Sequence, residues 1–146
     1  MRELASTVQL NHRQFIQPLF VDESIAVQTA IATLNEINSD TILSILEQIE
    51  KDIENGITKF LLFPVPLQKA ENDFDFSFVK KTLQAIRKKF GETVWIAADI
   101  CLCVYTSHGH CGILNENGSK VVNDKSVKIL ADYALQLAKA GADCIA

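Results

Sequence analysis

The sequence has little of most things that would assign a chain at sight. It has no excess of positive charge: 14 Lys and Arg stand against 18 Asp and Glu, for a net charge of −4. No face gathers cations, which argues against a nucleic-acid surface. The one basic cluster, Lys80, Lys81, Arg87, Lys88 and Lys89, reads as a helix with cations toward its C-terminus, where the helix dipole favours them. No apolar run approaches the roughly 18 residues that a membrane span needs. The N-terminus MRELASTVQLNHRQ has no hydrophobic stretch of the kind that directs secretion. Together these absences exclude a membrane partner and place the chain in a reducing cytosol, where cysteines stay as thiols. There is no low-complexity linker, and no glycine-rich turn of the kind that cradles a dinucleotide.

What is present is a repeated pattern of elements. Phe15-Ile-Gln-Pro-Leu-Phe-Val21 is a short apolar run and a strand candidate. Ser39 is positioned to cap a helix whose stripe is Ile42, Ile45, Leu46, Ile49 and Ile53, stopped at Asn55-Gly56. Lys59 to Val65 is apolar on both faces, as a buried parallel strand is. Ser77 caps a second helix with Val79, Leu83, Ile86 and Phe90 inward. Thr93 to Asp99 is a third strand. A third helix runs from about Lys125 to Ala140, with Val127, Leu130, Ala131, Ala134, Leu137 and Ala138 inward, and Asp143 to Ala146 begins a fourth strand.

The order β-α-β-α-β-α-β implies parallel strands joined by right-handed crossovers. An open doubly wound sheet and a (β/α)8 barrel compete for it. Without the phosphate turn the barrel is favoured, and a whole barrel needs about 250 residues. The chain is therefore read as one domain, residues 1–146, forming about the first half of an α/β TIM barrel behind a short arm of residues 1–14. The apolar edge left by a half barrel reads as a truncation.

Three of the four cysteines fall between positions 101 and 111, in Asp99-Ile-Cys-Leu-Cys-Val-Tyr-Thr-Ser-His-Gly-His-Cys-Gly112. The run starts where the third strand stops, at the carboxyl end that is the functional face of either architecture. Cys101 and Cys103, two apart on an extended segment, point to one side. Cys111 returns after a turn eased by Gly109 and Gly112. Three converging thiolates suit a borderline-soft cation, zinc above all, and the spacing is not that of a structural knuckle. His108 and His110 are candidates to close the tetrahedron, support a ligand or meet substrate. Asp99 is placed to orient a ligand, meet a substrate amine or accept loop N–H bonds. The competing readings are small buried hydrophobes and a redox thiol group, though no Lys or Arg adjoins the thiols. Cys144 reads as core. In the arm, Asn11 and Gln14 have the spacing of a variant capping box around His12.

The cysteine run, with Ile16-Gln-Pro-Leu-Phe-Val21, Phe60-Leu-Leu-Phe-Pro-Val-Pro66, Asn123-Asp124 and Ala140-Gly-Ala-Asp143, resembles the porphobilinogen synthase (5-aminolevulinate dehydratase) family over most of the chain. The resemblance implies a TIM-barrel lyase of tetrapyrrole biosynthesis, usually a homo-octamer. Such an enzyme condenses two molecules of 5-aminolevulinate into porphobilinogen with loss of two waters. Cys101, Cys103 and Cys111 match the family's zinc ligands, and Asp99 its active-site aspartate. The family's two Schiff-base lysines fall beyond Ala146. That implies a chain inactive alone, or, as the alternative, a non-catalytic zinc-binding or interaction fragment.

Overall fold

The computed structural model describes residues 7–8 and 10–146. Residues 1–6 and 9 of the expected arm lie outside the described residues. In the described part, Asn11 caps a single 3-10 turn over His12–Gln14, its side chain accepting from the Arg13 N–H.

Six strands form one sheet: β1 (Gln17–Asp22), β2 (Thr29–Ala30), β3 (Asn38–Asp40), β4 (Lys59–Val65), β5 (Trp95–Ala98) and β6 (Cys144–Ile145). The helices are α1 (Ile42–Glu54), α2 (Ser77–Phe90) and α3 (Asn123–Ala140). The strand order is β2-β3-β1-β4-β5-β6, and only β2 runs antiparallel to its neighbour. From β1 through β4 and β5 to β6, each new strand joins the edge left by the last, through one helix. Along those four helix-linked strands the order does not reverse; the short β2 and β3 lie on the other edge of β1, reached from it by a loop and not by a helix. The sheet is the curl of a barrel, carried part of the way round.

Register shows which face the helices cover. Leu19, Val21, Phe60, Leu62, Ile96 and Ala98 are buried, and they form one cluster with Ile45 and Ile49 of α1, Val79, Leu83 and Ile86 of α2, and Tyr133 and Leu137 of α3. The alternate residues Phe20, Leu61, Phe63, Val65 and Trp95 are half-buried on the other face, where Phe20 stacks on Phe63 at 5.0 Å. Both faces of β4 are apolar because helices pack on one and the barrel's inner side is the other.

The structure differs from sequence expectation in several places. Asn38–Asp40 is a strand, so α1 is capped by Thr41 and not by Ser39. Thr41 Oγ1 accepts from the Ser44 N–H at 3.1 Å, and Ser44 Oγ accepts from the Thr41 N–H at 3.0 Å. β2 and β3 are too short and polar to carry a hydrophobic period. Ser77 is the first helical residue of α2, and Asp75 accepts from both its N–H and its hydroxyl. The buried face of α3 is Ser126, Tyr133, Leu137 and Ala140, while Val127 is exposed. Two stripes compete on that helix, and the one that buries a tyrosine wins. Cys144 is half-buried. Lys59 lies at the amino end of its strand, as expected, with Nζ donating to the Arg13 carbonyl.

Candidate metal centre

Asp99 follows β5 directly, its N–H donating to the Leu62 carbonyl of the neighbouring strand at 3.0 Å. From there the chain leaves the sheet at the carboxyl end. The cysteine pair does not converge by strand alternation. Leu102 is fully buried, and its carbonyl accepts from the Tyr105 and Thr106 N–H groups, so the segment turns. That turn leaves Cys101 and Cys103 half-buried side by side. The loop then runs along the segment after β4: the Ala70 N–H donates to the Tyr105 carbonyl, and the Ser107 N–H to the Ala70 carbonyl. Buried Thr106 donates its hydroxyl to the His110 carbonyl at 2.8 Å, bending the chain back toward Cys111.

The two glycines work differently. Gly109 has φ +76°, in the left-handed region. Gly112 is needed for space: a Cβ there would meet Val121 Cγ1 at 2.7 Å and Ser126 Oγ at 2.8 Å.

The outcome is a sulfur triangle. Cys101 Sγ lies 3.1 Å from Cys103 Sγ and 3.2 Å from Cys111 Sγ, and all three fall within 4.8 Å of one another. These are free thiols. A disulfide would bring two sulfurs to about 2.05 Å. Three sulfurs at about 2.3 Å from one tetrahedral ion stand about 3.8 Å apart, so the two pairs that share Cys101 need to open by about 0.6 to 0.7 Å. Among the described residues no other cluster of three or more Cys, His, Asp or Glu ligand atoms is this tight, and neither histidine nor Asp99 joins it. His108 instead orders the loop, its Nδ1 accepting from the His110 N–H at 3.1 Å. The donor set is three thiols with the fourth position open, and Cys111 is exposed to solvent.

The electrostatics fit a cation. Burial works to raise the Cys101 thiol, but the Cys103 N–H and the Cys103 and Cys111 thiols outweigh it and hold Cys101 below its usual value. Burial and the neighbouring thiols push Cys103 up to about 12, and Cys111 is raised chiefly by its contact with Cys101. The cluster thus favours the first thiolate at Cys101 and opposes the next two, through burial at Cys103 and contact with Cys101 at Cys111; a divalent ion would offset that opposition. Burial raises the Asp99 carboxyl, although its Oδ2 accepts from the Cys101 N–H at 3.3 Å.

The Tyr105 and Thr106 hydroxyls beside the cysteines are spent on structure. Tyr105 is 1% exposed, and its hydroxyl pairs with that of Tyr133 at 3.1 Å. Sequence reasoning missed Tyr133 and Ser126, both on α3. Neither carries a signal of its own in the sequence, since their partners Tyr105 and Ile113 are distant along the chain.

The family model for delta-aminolevulinic acid dehydratase matches residues 1–146. The chain belongs to that family. It is 33% identical over 150 residues to the delta-aminolevulinic acid dehydratase of Bacillus subtilis, covering 100% of this chain and 45% of the relative. The enzyme of the same name from Helicobacter pylori is 38% identical over 151 residues, covering 100% of this chain and 46% of the relative. Among solved structures, delta-aminolevulinic acid dehydratase (porphobilinogen synthase) from Toxoplasma gondii ME49, in complex with the reaction product porphobilinogen, superposes with a TM-score of 0.89 at 29% identity. That superposition covers 99% of this chain and 42% of the other. The chain thus spans less than half the length of these dehydratases, and its fold is a corresponding part of the barrel. No helix among the described residues is long and apolar enough to cross a membrane.

Proposed function

We propose that this chain carries the metal half of a porphobilinogen synthase active site. In this reading the 146 residues are one domain, the N-terminal portion of the barrel with a short arm at residues 1–14. It binds zinc through Cys101, Cys103 and Cys111, and works on 5-aminolevulinate in the cytoplasm as part of a homo-oligomer. The observation that carries it is the convergence of three thiols, with a fourth position open, at the carboxyl end of β5 in a chain of this family.

Zinc bound there supplies a Lewis acid that polarises a substrate oxygen and acidifies bound water. The chain's own residues do the rest. Asp99, held beside the cluster by the Cys101 N–H and raised by burial, is suited to hold a proton or meet a substrate ammonium. Thr106, through the His110 carbonyl, bends the chain so that Cys111 comes back to Cys101, and buried Leu102 anchors the segment that carries Cys101 and Cys103.

The covalent chemistry needs a desolvated lysine. Lys59 lies at the opposite end of the sheet, and Lys69, Lys120 and Lys125, which do reach the loop face, are exposed. The nucleophiles must come from another segment. The test is complementation. Mixed with the lysine-bearing half of a family member, the chain should restore porphobilinogen formation from 5-aminolevulinate, and it should form none alone. Turnover by the chain alone would refute the division of the site. Zinc binding with self-association and no rescue would favour a non-catalytic metal-binding fragment.

A further inference from the structure

The metal loop is held from one helix at two matching points. Two residues after Cys103, Tyr105 presents its hydroxyl to Tyr133. Two residues after Cys111, the Ile113 N–H donates to Ser126 Oγ at 2.9 Å. Ser126 and Tyr133 are seven apart on α3, which is two turns, so both face the loop. Both are buried, at 5% and 0% exposure.

Each contact is locked from behind. Phe76 stacks on the Tyr133 ring at 3.9 Å and meets Tyr105 edge-on at 4.9 Å, fixing the two rings in one arrangement. Ser126 donates its own hydroxyl to the Val122 carbonyl at 2.8 Å, which leaves its oxygen aimed at Ile113. The bare Cα of Gly112 sits against Ser126, so the approach there is as close as a backbone permits. At both points the bond is made by a hydroxyl, although an apolar side chain would fill the same core space.

We propose that Ser126 and Tyr133 are positioning residues that clamp the loop on both sides of the sulfur cluster, so that Cys103 and Cys111 are held toward Cys101 before a metal arrives. The proposal rests on the zinc reading of the three thiols and adds to it the helix that sets their geometry. Neither residue touches the ion. Each acts through a loop residue two positions beyond a ligand, much as partners outside the ligand set orient the ligands in other metal sites.

The experiment compares the unaltered chain with Ser126→Ala, Tyr133→Phe, the double variant and Ile49→Val. The last trims a core residue of α1 remote from the loop. Zn2+ affinity is measured by chelator competition, and Co2+ is used as a probe because its thiolate absorption reports ligand geometry. Amide exchange across residues 104–114 is followed in the metal-free chain. Ser126→Ala and Tyr133→Phe should each weaken Zn2+ binding by about tenfold, and the pair by about a hundredfold. The Co2+ spectrum should change, and loop exchange should quicken before metal is added. Tyr133→Phe removes one oxygen and keeps the stacked ring, so it tests the bond and not the packing. Ile49→Val should leave affinity and spectrum unchanged. Unchanged affinity, spectrum and loop exchange in both hydroxyl variants would overturn the clamp, as would an equal loss from Ile49→Val. Failure of the unaltered chain to bind Zn2+ would overturn the metal reading itself, a separate result.

Discussion

The face of the sheet under the helices and the loop at its carboxyl end are built by different rules. Under the helices, Leu19, Leu62, Ile96, Ile45, Leu83 and Leu137 meet in one cluster held by apolar burial, which asks for volume and little else. The loop joins that cluster through Leu102 and Tyr105, but its path around the sulfurs follows another rule. It is set by single atoms: the Thr106 hydroxyl, the Tyr133 hydroxyl, Ser126 Oγ, the missing Cβ of Gly112. The first region supplies stability and tolerates exchange among hydrophobes. The second supplies chemistry and depends on identity at each position. The separation is testable, because a change in one region should leave the other's observable nearly alone.

The largest effect should come from a ligand. Cys101→Ser removes the sulfur that touches both others, and Zn2+ affinity should fall by about a thousandfold, roughly 4 kcal/mol. Chelator competition measures the loss. Denaturant unfolding of the metal-free variant should stay within about 1 kcal/mol of the unaltered chain, because the thiol is only half-buried. A metal-free variant that unfolds outright would erase the division between the regions. The converse change is Leu62→Ala, in a fully buried position of β4. It should cost about 3 kcal/mol in the same unfolding measurement. The folded fraction should still bind Zn2+ as tightly as before.

The same division governs what could be read from sequence. Lys59–Val65 appears as a strand with the bounds that the structure has, and the stripes of α1 and α2 are as spaced, because burial writes its period into the chain. The strand β3 left no such trace, since Asn38-Ser39-Asp40 pairs through its backbone and carries no hydrophobic pattern. The apolar residues of α3 allowed two inward faces. The pairing of Tyr133 with Tyr105, across 28 residues, and of Ser126 with Ile113 decides between them. Similarly, the cysteines and Asp99 were conspicuous by type and place. The residues that hold them were not, because a serine and a tyrosine on a helix announce nothing until the loop is folded against them.

Gly112→Ala probes the boundary between the two regions. The added methyl has Val121 and Ser126 at 2.7 and 2.8 Å, so the loop or α3 must move. Overpacking of this kind should cost about 2 kcal/mol. Because the strain lies next to Cys111, metal affinity should fall as well, by about tenfold. Titration with Co2+ and unfolding of the metal-free variant read the two losses. An alanine that costs stability while leaving the metal unaffected would mean the loop hinges freely there, and that Cys111 is not held from Gly112.

The smallest effect should appear on the helix side, far from the sulfurs. Asp52 of α1 has one oxygen bonded by Gln48 Nε2 at 3.0 Å, while its Oδ2 is buried with no partner among the described residues. Burial raises its carboxyl above the ordinary 3.8, and the Asp40 charge adds to the rise. A raised value means the folded state holds this proton more tightly than the unfolded chain does. Stability from this group is therefore greatest below the ordinary value and is lost as pH rises from there through the folded one. At neutral pH the ionised form carries the full penalty. Asp52→Asn keeps an oxygen for Gln48 and removes the charge, so at pH 7 it should stabilise the chain by about 0.5 kcal/mol, an amount kept small because the side chain is only partly buried. Unfolding curves at pH 7 and near pH 3.5 check the sign. The gain should be present at the higher pH and should shrink at the lower, where the native carboxyl is also neutral. A gain of equal size at both would assign it to packing and not to charge. Zn2+ affinity should not change at pH 7, and a change there would mean that the helix-covered side and the loop are coupled after all.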